Sequence, residues 1–265
     1  ASRISGVSPA DVVSVGAGIP GACRLSDSFV LAAENLHWRN VPLGSLLEPL
    51  LKMPVSLGND ADCAALAEVL AGCAKDVSSA LMITIGTGIG GGLILNRKIF
   101  SGGTGVGTEP GHTPMVFGGV RCGCGMYGCF EAYASCTALI RQTREAMGRC
   151  RNSLLWKVCG GDPEKVDGRT PFEAASCGDK TAKKVLDRYI SYLACGIGGL
   201  VNVFRPELVI IGGGVSGAGD DLIVPLNAKL RKYCFGADVI DPPPVRRAAL
   251  GNDAGIIGAA FAGTK

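Results

Sequence analysis

The sequence has no apolar run long enough to cross a bilayer, which excludes a transmembrane helix. It is also poor in charge: charged residues make up 18% of the chain, and the net formal charge is only +3 with the basic residues scattered. Neither a nucleic-acid-binding face nor a polybasic membrane patch fits that distribution. No signal peptide is visible, and there is no long linker or low-complexity segment. With 47% hydrophobic residues over 265 positions, the composition is that of a folded chain with length for one large domain or two smaller ones.

Glycine and cysteine are plentiful instead. The 40 glycines fall in short runs without a collagen-like period, as tight turns and phosphate loops require. Twelve cysteines in a chain of this length, without a signal peptide, argue for a reducing cytoplasm rather than a disulfide framework. Most are expected to be small buried apolar residues. Cys122, Cys124 and Cys129 stand apart by their spacing.

Strand and helix patterns alternate, which predicts an α/β fold. Residues 12–15 read as a strand and residues 16–21 as a glycine–proline loop after it. Because the chain opens Ala1-Ser2-Arg3 and meets that strand almost at once, it is expected to start partway into a domain. Leu43, Leu46, Leu47 and Leu50 have helical spacing, interrupted by Pro49. A short strand over 54–57 ends at Gly58-Asn59-Asp60, and a helix is predicted over 61–74. Strands at 80–85 and 93–95 flank the glycine run 86–92, and Asn96-Arg97-Lys98 makes the next turn. A further helix is predicted over 132–147. Thr170-Pro171-Phe172-Glu173 has the form of a capping box at a helix start. A long helix over 181–204 places Val185, Tyr189, Leu193, Ile197, Leu200 and Phe204 on one face, and Arg205-Pro206 stops it. A buried strand, 208–211, ends in Gly212-Gly213-Gly214, and a small-residue helix closes the chain over 253–262.

The run Gly86-Thr87-Gly88-Ile89-Gly90-Gly91 satisfies the G-x-G-x-x-G dinucleotide pattern. That fingerprint needs a helix to open at the loop, and here a strand follows. The turn is either a phosphate cradle of backbone N–H groups with the Thr87 hydroxyl, or a plain glycine hairpin. Cys122-Gly123-Cys124 and Cys129 place three thiolates within eight residues, with His112 ten residues upstream. Three sulfurs and an imidazole would complete a closed tetrahedral zinc site, with Gly123, Gly125 and Gly128 letting so short a loop wrap one ion; the alternative is a set of ordinary free cysteines in a tight loop. Glu109 and His112 sit in a Glu-Pro-Gly-His turn, and Glu131 precedes a helix, where an acid is favoured by the dipole. Asn59-Asp60 precedes a helix as N-cap residues do, and Asn252-Asp253 repeats the arrangement before the last helix. Sequence logic alone leaves open which aspartate, if either, is catalytic.

Taken together, Cys122-Gly123-Cys124-Gly125, Gly128-Cys129-Phe130-Glu131 and Glu109-Pro110-Gly111-His112 resemble the ROK family of bacterial sugar kinases and sugar-responsive repressors. Asn35-Leu36 with Trp38, Asn59-Asp60-Ala61, the 86–92 loop, Gly212-Gly213-Gly214-Val215 and Gly255-Ile256-Ile257-Gly258-Ala259-Ala260 follow in the family's order, so the resemblance spans essentially the whole chain. It implies an actin-like, ribonuclease H-like two-domain α/β fold. Asp60 would be the general base toward the attacking sugar hydroxyl, with Asn35, Asn59, Glu109, His112 and Glu131 as sugar contacts. His112, Cys122, Cys124 and Cys129 would hold structural Zn2+, His112 using its other ring nitrogen on the sugar. Gly86, Thr87 and Gly88 would touch the phosphates of ATP, bound with Mg2+, and Gly213 and Gly214 would border the adenosine. Asn252-Asp253 maps onto the start of the C-terminal helix and loses its catalytic candidacy.

The Asp-x-Gly-x-Thr-type hairpin with which the family opens finds no match. Asp167-Gly168-Arg169-Thr170 has the wrong spacing. The first strands of the small domain are therefore expected to lie outside these residues, which would lack half of the phosphate site. The expected domains are 1–62 with 251–265 (small) and 63–250 (large). The expected activity is ATP-dependent phosphorylation of a hexose, glucose above N-acetylmannosamine, fructose or mannose, in the cytoplasm and by a homodimer. The rivals are a sugar-responsive repressor of the same family and a zinc-ribbon interaction module. The module leaves the Asn59-Asp60 and Glu109/Glu131 sets unexplained.

Overall fold

The computed structural model of the protein describes residues 6–33 and 36–262. Along the chain run β1 (Val15–Ile19), β2 (Ala22–Arg24), β3 (Phe29–Ala33), β4 (Trp38–Val41), α1 (Leu43–Leu51), β5 (Val55–Asn59) and α2 (Asp60–Leu70). Then come β6 (Ala80–Ile85), β7 (Ile89–Leu95), β8 (Lys98–Ile99), α3 (Glu131–Ala134), α4 (Cys136–Arg149) and α5 (Leu155–Val158). They are followed by α6 (Thr170–Ser176), α7 (Lys180–Phe204), β9 (Leu208–Gly212), α8 (Asp220–Leu230), β10 (Val245–Arg247) and α9 (Ala254–Ala262). Among the described residues no helix is long and apolar enough to cross a membrane.

The chain divides into two compact units. The first comprises Ala1–Leu81, Gly92–Thr108 and Ala249–Lys265, so 63–81 and 92–108 group with it beyond the boundary at 62 drawn from sequence. Here β1 and β5 pair in parallel, Val15 opposite Val55 through Ile19 opposite Asn59. β2, β3 and β4 form an antiparallel meander. Ile19, Cys23, Val30, Ala33, Val55 and Leu57 form its core.

The strand predicted at 12–15 begins at Val15 and runs through the glycines read as a loop. The reason is close packing. A Cβ at Gly16 would collide with the Ala259 carbonyl, so only glycine lets α9 lie flush on β1. Gly258 stands in the same relation to the Cys63 carbonyl on α2. The entry of the chain into α9 is fixed by Glu68, fully buried on α2. Its Oε1 accepts the Ala249 and Leu250 N–H groups at 2.8 Å each, and its Oε2 accepts the Cys73 N–H at 2.8 Å. A buried carboxylate is tolerated because backbone donors satisfy it.

The second unit comprises Met82–Gly91 and Glu109–Ala248. Here β10 pairs in parallel with β9, and β9 has β6 as its other neighbour in the sheet. Helix α7 spans 25 residues and buries Val185, Tyr189, Leu193, Ile197 and Leu200 of the stripe predicted from period 3.6, whereas Phe204 at its end is only half-buried. Its N-cap is Asp179, which accepts the Ala182 N–H at 2.6 Å, and Arg205 in the left-handed region ends it.

Two local expectations are corrected. Thr170 is not the cap of α6 but its first residue. Asp167 Oδ1 takes the Arg169 and Thr170 N–H groups at 3.0 and 2.9 Å and the Thr170 hydroxyl at 2.8 Å. The helix predicted over 132–147 breaks at Ser135, whose extended backbone ends α3 and whose hydroxyl caps α4 by accepting the Ala138 N–H at 3.1 Å.

Candidate functional site

The cysteine-rich loop of the second unit is closed by its own backbone. Met115 N–H donates to the Gly128 carbonyl at 2.7 Å, Gly128 N–H to Val120 at 2.9 Å, and Cys122 N–H to Met126 at 2.8 Å. Gly125 (φ +94°) and Gly128 (φ +78°) occupy the left-handed region, and a Cβ at Gly128 would collide with the Val116 carbonyl. Gly123 shows neither constraint, so the loop depends on two of its three glycines. His112 ends a 3-10 turn, Pro110–His112, in which its N–H donates to the Glu109 carbonyl at 3.1 Å.

These two segments bring together the four residues expected to bind metal. The donor atoms of His112, Cys122, Cys124 and Cys129 lie within 4.8 Å of one another. Cys122 Sγ is 3.8 Å from His112 Nδ1, and Cys124 Sγ is 3.7 Å from Cys129 Sγ. A tetrahedron of sulfurs about 2.3 Å from zinc has edges of roughly 3.8 Å, so both separations fit one ion. All twelve cysteines are free thiols. Nδ1 is the ring nitrogen of His112 nearer Cys122.

Glu131 begins α3 directly after Cys129-Phe130. Its Oε2 accepts the Ile89 N–H at 2.9 Å, and its Oε1 receives the Cys122 thiol at 3.3 Å. It thus touches both the cysteine loop and the glycine turn. That turn joins β6 to β7, adjacent strands of one sheet linked by residues 86–88, so it is a hairpin and not the strand-to-helix dinucleotide turn. Gly86 N–H donates to the Gly88 carbonyl at 3.0 Å. From α4, Cys136 N–H reaches the Gly86 carbonyl at 2.9 Å, and the Thr137 hydroxyl reaches the Thr87 carbonyl at 2.7 Å. Thr87 itself is exposed.

Gly213 approaches the same strand end. Its φ of +79° calls for glycine, and a Cβ there would lie 2.6 Å from the Ile85 backbone. Its carbonyl accepts the Ser216 N–H and hydroxyl, at 3.1 and 2.7 Å, which sets the 3-10 turn Gly214–Ala218. A cavity of about 600 Å³ opens beside this turn, walled by Gly214, Val215, Cys136, Asp167 and Phe172 among others. Sequence reasoning missed the 167–176 wall. In the sequence Asp167-Gly168-Arg169-Thr170 fails the spacing of a phosphate hairpin and reads as the lead into a capped helix, with nothing to mark a cavity wall.

Asn59 and Asp60 lie in the first unit, and Asn35 lies outside the described residues. Asn59 caps α2: its Oδ1 accepts the Ala61 and Asp62 N–H groups at 2.9 and 3.3 Å, and its Nδ2 donates to the Gly21 carbonyl at 3.0 Å. Asp60 is exposed, and its Oδ1 also accepts the Ala61 N–H at 2.9 Å. Enough protein surrounds its carboxyl for desolvation to raise the pKa above the ordinary carboxylate value. Two buried thiols sense that charge. Burial first, then the neighbouring aspartates Asp60 and Asp62, push Cys23 to about 11 and Cys63 to about 12. Glu109 is exposed in the second unit, next to the Pro110–His112 turn.

The ROK family profile matches residues 6–263. The chain is 38% identical over 260 residues to a glucokinase of Halalkalibacterium halodurans, spanning 97% of this chain and 78% of that one. It matches the crystal structure of a ROK family glucokinase from Streptomyces griseus, in complex with glucose and AMPPNP. The TM-score is 0.85 at 34% identity, covering 96% of this chain and 82% of that one. A xylose repressor of Caldicellulosiruptor bescii is 32% identical over 86% of this chain and 56% of the repressor. The fold is the actin-like ATPase fold expected from sequence.

Proposed function

The chain belongs to the ROK family, and from that premise we propose that it is an ATP-dependent hexose kinase that phosphorylates glucose at its 6-hydroxyl. The observation that carries this is Glu131: one carboxylate seated between a four-ligand metal loop and a glycine turn, beside the His112 imidazole that the loop orients. A polyhydroxyl ligand suits carboxylates, which are acceptor-only and take several donors each. Glu131 has spent part of that capacity on the Ile89 N–H, and the remainder, including the oxygen that the Cys122 thiol occupies until its thiolate takes metal, accepts sugar hydroxyls together with Glu109.

Asp60 acts as general base. Desolvation that raises its pKa makes the carboxylate more basic, and its exposure leaves it open to an incoming hydroxyl. Asn59 holds a neighbouring hydroxyl through the second hydrogen of Nδ2, since the first is committed to Gly21. The Gly86-Thr87-Gly88 turn offers N–H groups and the Thr87 hydroxyl to phosphates, and Gly213-Gly214 border the nucleoside beside the cavity. Zn2+ held by His112, Cys122, Cys124 and Cys129 would supply structural fixation, and Mg2+ accompanying ATP would neutralise phosphate charge. Asn35 completes the sugar set, and the enzyme works in the cytoplasm as a homodimer.

The similarity to a xylose repressor gives a second reading, a sugar-responsive regulator. Asp60 together with the 86–88 turn favours the enzyme, because a sensor has no need of a base. Coupled ADP-release assays on the full-length protein with glucose and Mg-ATP separate the two. Turnover with glucose 6-phosphate as product is expected. Saturable sugar binding without ADP release would overturn the kinase.

A further inference from the structure

Gly88 stands directly in front of the Glu131 carboxylate. A Cβ there would collide with Oε2 and come within 3.1 Å of Cδ. The backbone does not explain the glycine, because Gly88 lacks the positive φ that would call for one. At Gly86, two residues earlier in the same turn, an added Cβ would meet nothing within 4 Å. The missing side chain at 88 therefore answers to Glu131. Beside it, the Ile89 N–H is the donor that aims Oε2. The turn cannot easily retreat, since Cys136 N–H and the Thr137 hydroxyl hold its other carbonyls from α4.

We propose that Gly88-Ile89 is a positioning element of the sugar site: Ile89 N–H orients the Glu131 carboxylate, and Gly88 leaves the space that this orientation needs. One backbone turn then serves both substrates, its Thr87 side facing phosphates and its Gly88-Ile89 side fixing a sugar acceptor. This rests on Glu131 being a sugar ligand. Its consequence is that a side chain at 88 weakens sugar binding even when no nucleotide is present, which a purely phosphate-binding glycine would not do.

The test is Gly88→Ala in the full-length, metal-loaded protein, with glucose affinity measured by titration calorimetry without nucleotide. Zinc per chain is measured by elemental analysis. We expect glucose binding roughly 10- to 100-fold weaker, the equivalent of one hydrogen bond to a charged acceptor, with zinc content unchanged. Adding Glu131→Asp withdraws the carboxylate by one methylene from the new methyl group, so the double variant should lose less than the product of the two single losses. Where Gly88→Ala alone fails to fold, recovery of folding in the double variant reports the same clash. Parent-like glucose affinity in Gly88→Ala would overturn the proposal. So would zinc loss in step with affinity, which places the effect in the cysteine loop, or multiplicative losses in the double variant. A parent protein that binds no hexose would instead overturn the sugar-kinase reading beneath it.

Discussion

The chain writes Asn-Asp-Ala twice, at 59–61 and 252–254, each time ahead of a helix of the first unit, and folds the two differently. At the first, Asn59 ends a strand in extended conformation and its side chain closes onto the Ala61 and Asp62 N–H groups and the Gly21 carbonyl. This leaves Asp60 exposed at the first position of α2, with a carboxyl that desolvation makes more basic. At the second, Asn252 and Asp253 form part of a 3-10 turn, Gly251–Asp253, that runs on into α9. A strand leads into the first and a left-handed glycine (φ +56°) into the second. Identical tripeptides diverge because what precedes them decides whether the first residue caps or coils.

The largest difference should appear in turnover. Asp60→Asn in the full-length protein is expected to lower kcat by about 10²–10⁴-fold, the usual range for losing a general base, with glucose binding largely kept. The parent's kcat/KM should also fall toward acid pH, with the limb displaced above the ordinary carboxylate pKa because Asp60 is raised. A flat acid limb, or kcat within a few-fold of parent in Asp60→Asn, would remove Asp60 from the chemistry.

Next comes the cap. Asn59→Ala leaves the α2 N–H groups without their acceptor and should cost about 0.5–2 kcal/mol in denaturant unfolding. Because Nδ2 also ties the strand end to Gly21, glucose affinity should drop with it. Asn59→Asp restores the cap acceptor but not the donor, so it should recover stability and not affinity. Equal recovery of both would assign Asn59 to the helix alone.

A smaller effect concerns the stability that Asp60 withholds. A carboxyl with a raised folded pKa binds its proton more tightly in the fold than in the unfolded chain. Its favourable contribution is therefore complete below the ordinary carboxylate value and is lost as pH rises through the folded pKa. Asp60→Asn should then be slightly more stable than the parent at neutral pH, with the gap closing as pH falls below the ordinary value. A gap that widens toward acid would reverse the sign and put Asp60 in a favourable ion pair.

Much of the fold was legible wherever a pattern was long or chemically singular. Helix α7 followed from its apolar stripe, and the metal cluster from one histidine and three cysteines at tight spacing. What was not legible depended on neighbours distant in sequence. Gly16 and Gly18 look like loop residues until Ala259 and Asp60 are seen packed against them. Thr170 looks like a cap until Asp167 takes the donors first. Ser135 gave a signal, a hydroxyl inside a predicted helix, but a break there was not expected. The role of Ile89 had no sequence signal at all, because it acts through a backbone N–H.

The smallest effect expected is that of Asp253→Asn. From sequence, this aspartate was a helix cap whose loss should cost some stability. The structure moves that burden to Glu68, whose buried carboxylate already holds the Ala249 and Leu250 N–H groups at 2.8 Å each, just before the 3-10 turn. The turn closes through backbone as well, with Asp253 N–H on the Leu250 carbonyl at 3.2 Å, a bond that asparagine keeps. Asp253 is exposed, so the remaining loss is a screened charge near a helix start, within about 0.5 kcal/mol. Glu68→Gln should cost distinctly more, because it exchanges a charged acceptor for a neutral one and turns an amide donor toward backbone donors. Turnover in Asp253→Asn should match the parent within a factor of two or so, under the same assay that finds Asp60→Asn nearly inactive. Comparable loss in both would mean that the two tripeptides do not differ in the way the structure separates them, and the base would have to be sought elsewhere.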